Sequence, residues 1–203
     1  MTKLYFQIRR AAAALPYCTA VLAFATIAQS NVFAQDGHSH TSGEQQELTA
    51  EQQTGAETLL KAVRQSTAQY KDVSVAEAAG YHLQFGCVSG DDSGAMGLHY
   101  INSDLVGSGV LDPAHPQIVI YEPKPDGTLQ LIGADFLVIA DAWNAAHTSP
   151  PQLMGQMFHL FTSPNRFGLP AFYTLHVWAW KQNPKGAFVN WHPNVSCQSF
   201  TAQ

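Results

Sequence analysis

The fold class is decided by one stretch of sequence, Phe172-Tyr173-Thr174-Leu175-His176-Val177-Trp178-Ala179-Trp180. Its aromatic and β-branched residues are typical of a β-strand, which we predict within residues 171–181. Side chains alternate between the two faces of a strand. One face therefore carries a row of large rings around His176, and the other carries ordinary apolar core residues. The prediction of a β-sheet is based first on this strand.

Other apolar runs of strand length occur after Cys87, where Gly and Pro become frequent. The sequence Pro125-Asp126-Gly127 is a turn signal between two of these runs. Short strands joined by short turns are typical of a mainly antiparallel, curled sheet or a small barrel. We predict these further strands at 98–101, 118–122, 129–132, 135–140 and 156–162.

The segment before the strands is predicted to be helical. Thr49 and Gln52 form a capping box, and apolar residues then recur at helical spacing from Ala56 to Val63. Ser74 and Glu77 predict a second, shorter helix that ends near Gly80. We therefore predict one α+β domain at 48–203, with a helical part (48–80) packed on a strand-rich part (81–203).

The first residues have the build of a secretory signal peptide at 1–34. Basic residues and no acid occupy 1–10, a small apolar run follows, and Val32-Phe33-Ala34 offers a cleavage site. An uncleaved anchor is the alternative, although the run is short for a membrane span. Export predicts a periplasmic or secreted protein with no membrane attachment after cleavage.

Residues 35–47 are polar and are predicted to be a flexible tether. The tether contains His38 and His40, a pair that can hold a soft or borderline metal ion. A solvated tail is the simpler interpretation.

Composition excludes several classes for the whole chain. Of 203 residues, 46% are hydrophobic and 12% are charged, which excludes a disordered chain and a coiled coil. The formal net charge is −5 and no basic block is present, so we predict no nucleic-acid partner.

Two cysteines, Cys87 and Cys197, remain once the signal peptide with Cys18 is removed. In an oxidising compartment they predict one disulfide, and the long loop it closes corresponds to about 4–5 kcal/mol. A pair of metal thiolates is the alternative, but neither cysteine lies in a CxxC or CxH sequence.

The aromatic face of the strand predicted within residues 171–181 is the candidate ligand pocket. Its residues are Phe172, Thr174, Trp178 and Trp180 around His176, a mixture typical of small-molecule sites. The alternative is that the tryptophans pack under the N-terminal helices and that His176 is a hydrogen-bonded core residue.

Four ionisable residues in separate apolar strands form a candidate metal site: His99, Glu122, His159 and His176. A carboxylate beside an apolar strand is costly unless it is paired, protonated or metal-bound. Three imidazoles and a carboxylate suit zinc, copper or iron. Taken singly, each histidine is more often structural, and His176 or His159 with Glu122 could also serve acid–base chemistry without metal.

A set of short motifs resembles a family of exported bacterial proteins without an assigned function. These motifs are Gly94-Ala95-Met96-Gly97-Leu98-His99-Tyr100-Ile101-Asn102, Gly109-Val110-Leu111-Asp112-Pro113, Tyr121-Glu122-Pro123, and Leu175-His176-Val177-Trp178-Ala179-Trp180 with Asn183-Pro184 and Gly186. The resemblance covers about Tyr70 to Cys197. It implies a single exported domain and brings no activity or cofactor with it.

These observations predict an exported protein that binds a small ligand or one transition-metal ion in an aromatic and His-lined pocket. The second hypothesis is a metal-dependent oxidoreductase or hydrolase that uses the His/Glu site. The third is a structural or interaction module in which the aromatic residues are all core.

Overall fold

The computed structural model of the protein describes residues 49–201. The predicted signal peptide (1–34) and tether (35–47), including His38 and His40, lie outside these residues.

Two helices open the described chain, as predicted. Helix α1 spans Ala50–Thr67 and is followed by a 3₁₀ turn, Ala68–Lys71, and by α2, Val73–Ala78. The capping box of α1 is confirmed, because Thr49 and Gln52 exchange backbone-to-side-chain hydrogen bonds. The predicted start of α2 at Ser74 is wrong. Asp72 is its N-cap and accepts a hydrogen bond from the Ser74 backbone N–H.

The remaining elements form a strand-rich region. The strands are β1 (Tyr81–Gly90), β2 (Gly94–Asn102), β3 (Ile118–Pro123), β4 (Leu129–Ile139), β5 (Gln152–Leu153), β6 (Gln156–Met157), β7 (His159–Phe161) and β8 (Phe172–Val177), with short helices α3 (Ser103–Ser108) after β2 and α4 (Ala140–Ala146) after β4. Six of the strands form an antiparallel sheet in the order β1-β2-β3-β4-β8-β7, and β5 and β6 form a separate small hairpin. The curled antiparallel sheet and the α+β class are confirmed, and the sheet is an open half-barrel rather than a closed barrel.

The observed strands differ from the sequence prediction at several points. The strand predicted at 156–162 is wrong, because β6 and β7 are separate short strands that belong to different sheets. Strand β2 begins at Gly94 rather than at residue 98.

Strand β1 was not predicted, because a bulge with positive φ at Phe85 and Gly86 interrupts its alternation. The two strands predicted on either side of Gly133 are one strand, β4. A Cβ atom at Gly133 would lie 2.5 Å from the Val177 carbonyl oxygen, so only glycine permits this close approach. Strand β8 ends at Val177, before the predicted limit.

The two faces of the sheet have different partners. On one face, Leu59 and Val63 of α1 pack with Phe136 and Leu175 in a fully buried cluster. The opposite, concave face carries Asp135 and His176, which are paired across β4 and β8. The helices thus complete an ordinary core on one side and leave the polar residues on the other.

The predicted disulfide is present. Cys87 in β1 is bonded to Cys197, 110 residues later, with Cα atoms 5.7 Å apart. It links the edge strand of the sheet to the C-terminal segment. Within residues 49–201, none of the helices has the length and apolar character needed to span a bilayer.

Candidate metal centre

Two of the predicted ligands, His99 and His176, meet inside the half-barrel. Their Nε2 atoms lie 3.3 Å apart, and the ring planes are nearly perpendicular. His99 is on β2 and His176 is on β8, with β3 and β4 between them. In a flat sheet, strands three positions apart are about 14 Å apart. The curl of the sheet and the reach of the two imidazoles close that distance.

A third residue, Asp135 on β4, lies directly opposite His176 in the strand register. Its Oδ2 atom is 3.7 Å from Nδ1 of His176. Its Oδ1 atom accepts a 2.6 Å hydrogen bond from the Thr174 hydroxyl. His99, Asp135 and His176 form a buried group whose ligand atoms all lie within 4.8 Å of one another.

Burial controls the ionisation of this group. Burial, together with the neighbouring His176 ring, lowers the pKa of His99 to about 4. Burial likewise lowers the pKa of His176 to about 3, with an added contribution from His159. The same desolvation raises the pKa of Asp135 to about 6, against the hydrogen bond from Thr174. At neutral pH the site therefore holds two neutral imidazoles and one carboxylate.

The surroundings of each neutral ring indicate which nitrogen carries its proton. Nδ1 of His99 faces the Gly97 carbonyl oxygen at 3.3 Å and must donate to it, which leaves Nε2 as a lone pair. Nδ1 of His176 and Oδ1 of Asn190 are both buried without a geometrically acceptable hydrogen bond within residues 49–201. The Asn190 side chain is nevertheless close enough to raise the pKa of His176, and the nearest anion to Nδ1 is Asp135. A proton on that nitrogen is favoured by the carboxylate. The two Nε2 lone pairs then point at each other, an arrangement that a cation between them would stabilise.

The group lines a small, mostly apolar cavity with an internal volume of about 30 Å³. Phe85 and Phe167 stand at 5.4 Å ring separation in its wall, and Phe85 is 46% exposed. The aromatic wall thus separates the histidines from solvent. The lining residues are Phe85, Met96, His99, Ile101, Ile118, Asp135, Leu137, Phe161, Phe167, Leu169, Phe172, Thr174 and His176.

Glu122 is placed away from this group. Its carboxylate accepts hydrogen bonds from the ammonium groups of Lys124 and Lys181 and from the Ser196 backbone N–H. Burial alone would raise the pKa of Glu122, but the two lysines hold it below its ordinary value. The cost of a carboxylate beside an apolar strand is offset here by ion pairing.

His159 is also separate from the ligand group. It lies on the edge strand β7, is exposed, and its Nε2 is 3.4 Å from the Phe188 carbonyl oxygen. It is near enough to lower the pKa of His176. Of the four predicted metal ligands, the structure brings together His99 and His176.

Of the four predicted pocket residues, two line the cavity and two do not. Phe172 and Thr174 line the cavity. Trp178 is buried beside His176 and donates its indole N–H to the Val189 carbonyl oxygen. The Trp180 ring lies at helix α1 instead, where it donates to the Thr67 hydroxyl. Strand alternation ends at Val177, so Trp180 does not continue the face of His176.

Asp135 and Met96 line the site, but the sequence analysis did not identify them as candidate site residues. The signal that pointed to Glu122, a carboxylate bordering an apolar strand, is present in Asp135 as well. Met96 has no sequence signal, because a buried methionine next to an apolar strand is ordinary core.

Comparison with known proteins identifies no relative. No protein-family model matches the chain, and neither a curated protein nor a solved structure matches it. The resemblance to exported bacterial proteins therefore stays a prediction.

Proposed function

We propose that this is an exported protein that binds one transition-metal ion, with His99 and His176 as nitrogen ligands and Asp135 as the negative charge of the site. The observation that carries the proposal is the pair of Nε2 atoms, 3.3 Å apart in a buried site. The convergence of two neutral imidazoles on one point, with a carboxylate behind one of them, supports a cation at that point.

The separation of the two nitrogens fits a metal ion. Nitrogens bound at about 2.0–2.1 Å to a tetrahedral ion lie about 3.3–3.4 Å apart. A proton shared between the rings would also fit 3.3 Å. However, a proton on Nε2 of His176 would leave the lone pair of its Nδ1 facing Asp135, 3.7 Å away. A metal ion satisfies both nitrogens and leaves the Nδ1 proton toward the carboxylate.

The size of the cavity favours an ion over an organic ligand. Its volume of about 30 Å³ leaves room for about two water molecules. Pockets for small organic ligands are on the order of 300–1,000 Å³. Binding of such a ligand would require the aromatic wall at Phe85 and Phe167 to move. The Cys87–Cys197 disulfide is compatible with an oxidising compartment, which supports the export part of the proposal.

The test is metal analysis of untagged protein purified from its native compartment. We expect about one equivalent of metal in the wild-type protein and loss of that metal in His176→Gln and His99→Gln. His115→Ala is the matched control, because His115 also pairs with a carboxylate, Asp112, but is exposed. It should retain the metal. Near-UV circular dichroism establishes that each variant is folded.

A second measurement covers the case in which purification strips the ion. The metal-free wild-type protein is titrated with Zn²⁺, Co²⁺ and Cu⁺ in turn. Saturable binding of one ion that His176→Gln abolishes supports the proposal. A folded wild-type protein that binds none of the three overturns it.

A further inference from the structure

We propose that the ion is copper(I) and that the thioether of Met96 is its third ligand, beside His99 and His176. This inference rests on the proposed function and specifies its metal. It joins three observations about the cavity: the placement of Met96, the charge that the site can neutralise, and the apolar character of the wall.

Met96 reaches the cavity because strand β2 contains a bulge. Val88 pairs with Gly97 and Ser89 pairs with Ala95, so Met96 is the extra residue without a partner on β1. Gly97 has a φ of +93°, and a Cβ atom there would lie 2.6 Å from the Tyr121 carbonyl oxygen. The bulge thus depends on glycine at this position, and bulges re-aim side chains next to functional sites. Met96 is 1% exposed and lines the same cavity as His99 and His176.

Charge balance favours a monovalent ion. Among the residues that the structure describes, the cavity wall includes one carboxylate, Asp135, and no lysine or arginine. With both imidazoles neutral, Cu⁺ and the Asp135 carboxylate sum to zero. A divalent ion would leave one uncompensated positive charge in a buried site, which is costly.

Ligand softness points in the same direction. Thioether sulfur is a soft donor that selects copper(I), and imidazole binds copper as well. The surrounding Phe161, Phe167 and Phe172 rings keep the site apolar. An apolar shell that limits solvent access tunes the redox behaviour of a metal, and here it disfavours the more highly charged copper(II).

The test compares Met96→Leu with the wild-type protein. Leucine preserves an apolar side chain of similar volume and removes only the sulfur. Cu⁺ affinity is measured anaerobically by competition with a chromophoric copper(I) chelator, and Co²⁺ affinity is measured in parallel. We expect Met96→Leu to weaken Cu⁺ binding by about tenfold or more, the scale of a lost supporting ligand. Co²⁺ binding should change little. Met157→Leu, at a methionine that is 54% exposed, is the matched control and should bind Cu⁺ like the wild type.

X-ray absorption spectroscopy of the copper-loaded protein gives an independent readout. A sulfur scatterer in the wild-type spectrum that disappears in Met96→Leu supports the inference. Unchanged Cu⁺ affinity in Met96→Leu, or a wild-type spectrum without sulfur, overturns it while metal binding by His99 and His176 stands. Tighter binding of Zn²⁺ than of Cu⁺ by the wild type also overturns it. Failure of the wild type to bind any of these ions instead overturns the proposed function.

Discussion

The Asp135 carboxylate lies 3.7 Å from Nδ1 of His176, on the side of the ring opposite to the nitrogen that faces His99. The three residues therefore form a line from carboxylate to imidazole to imidazole. In metal sites, a carboxylate behind a ligating histidine fixes the protonated nitrogen and makes the other nitrogen a better donor. Thr174 holds the carboxylate by a hydrogen bond to its second oxygen.

Asp135→Asn should separate metal binding from folding. The amide can still accept the Thr174 hydrogen bond, but it removes the negative charge. We expect the metal affinity to fall by about 10–100-fold, as for other residues that support a ligating histidine. The metal-free variant should be more stable than the wild type by roughly 1–3 kcal/mol at neutral pH, because burial of the Asp135 carboxylate raises its pKa.

Competition with a metal indicator measures the affinity, and urea unfolding of the metal-free proteins measures the stability. Thr174→Val serves as a comparison that disturbs the same carboxylate without changing its charge. Wild-type metal affinity in Asp135→Asn would show that the carboxylate has only a structural role.

The stability of the metal-free protein should fall as the pH is lowered from about 6 to about 4. In this range the unfolded chain carries two protonated histidines and an ionised aspartate. The folded site has neutral histidines, with pKa values of about 4 and 3, and a protonated Asp135, with a pKa of about 6. The unfolded state therefore binds about one more proton, which costs the folded state about 1.4 kcal/mol per pH unit.

The contribution of Asp135 to the pH dependence of stability has the opposite sign, since its raised pKa favours the folded state at low pH. Removing both imidazoles in His99→Gln/His176→Gln leaves that contribution alone. On acidification, the unfolding free energy of the wild type should therefore fall relative to that of this variant. Urea titrations at half-unit pH intervals measure it, and parallel pH curves for the two proteins would contradict the expectation.

Glu122→Gln should destabilise the protein and leave metal binding intact. The substitution removes the anion that Lys124 and Lys181 share in a buried position. We expect a loss of roughly 1–3 kcal/mol in the free energy of unfolding, because partly buried ammonium groups lose their counter-charge. Thermal or urea unfolding measures the loss, and metal analysis of the same preparation measures occupancy. Loss of one metal equivalent from folded Glu122→Gln would return Glu122 to the ligand set.

Phe85→Gly should increase the rate of metal exchange with little change in stability. Phe85 has a φ of +64°, a conformation that costs a non-glycine residue roughly 1–2 kcal/mol, so glycine relieves strain. The loss of the ring contact with Phe167 offsets this by about 0.5–1.5 kcal/mol. Opening the aromatic wall should speed metal removal by a chelator several-fold.

Stopped-flow mixing of the metal-loaded protein with excess chelator gives the rate. Val110→Gly is the control, because it removes an exposed apolar side chain that does not line the cavity. Equal release rates in Phe85→Gly and the wild type would show that the metal leaves by another route.

Local signals in the sequence were sufficient for much of the architecture. The capping box at Thr49 and the apolar spacing of α1 depend only on residues within a few positions, so they predict the helix directly. The same applies to the alternation of Phe172, Thr174 and His176 along β8, which are buried as predicted. The disulfide followed from a count of two cysteines under the prediction of export.

Local sequence signals did not predict where the strand pattern is interrupted or continues. The bulge at Phe85–Gly86 hides the alternation of β1, and Gly133 reads as a break although β4 runs through it. Each depends on a contact with a distant partner strand, which short-range sequence patterns do not contain.

Tertiary structure decided which residues come together in the site. The sequence determined that His99, Glu122, His159 and His176 each border an apolar strand, because that property is local. Only the curl of the sheet brought His99 across two intervening strands to His176. Only the register of β4 and β8 set Asp135 beside His176, while Glu122 found its charge partners in Lys124 and Lys181. Curl and register arise from the packing of all the strands together, so no spacing along the chain records them.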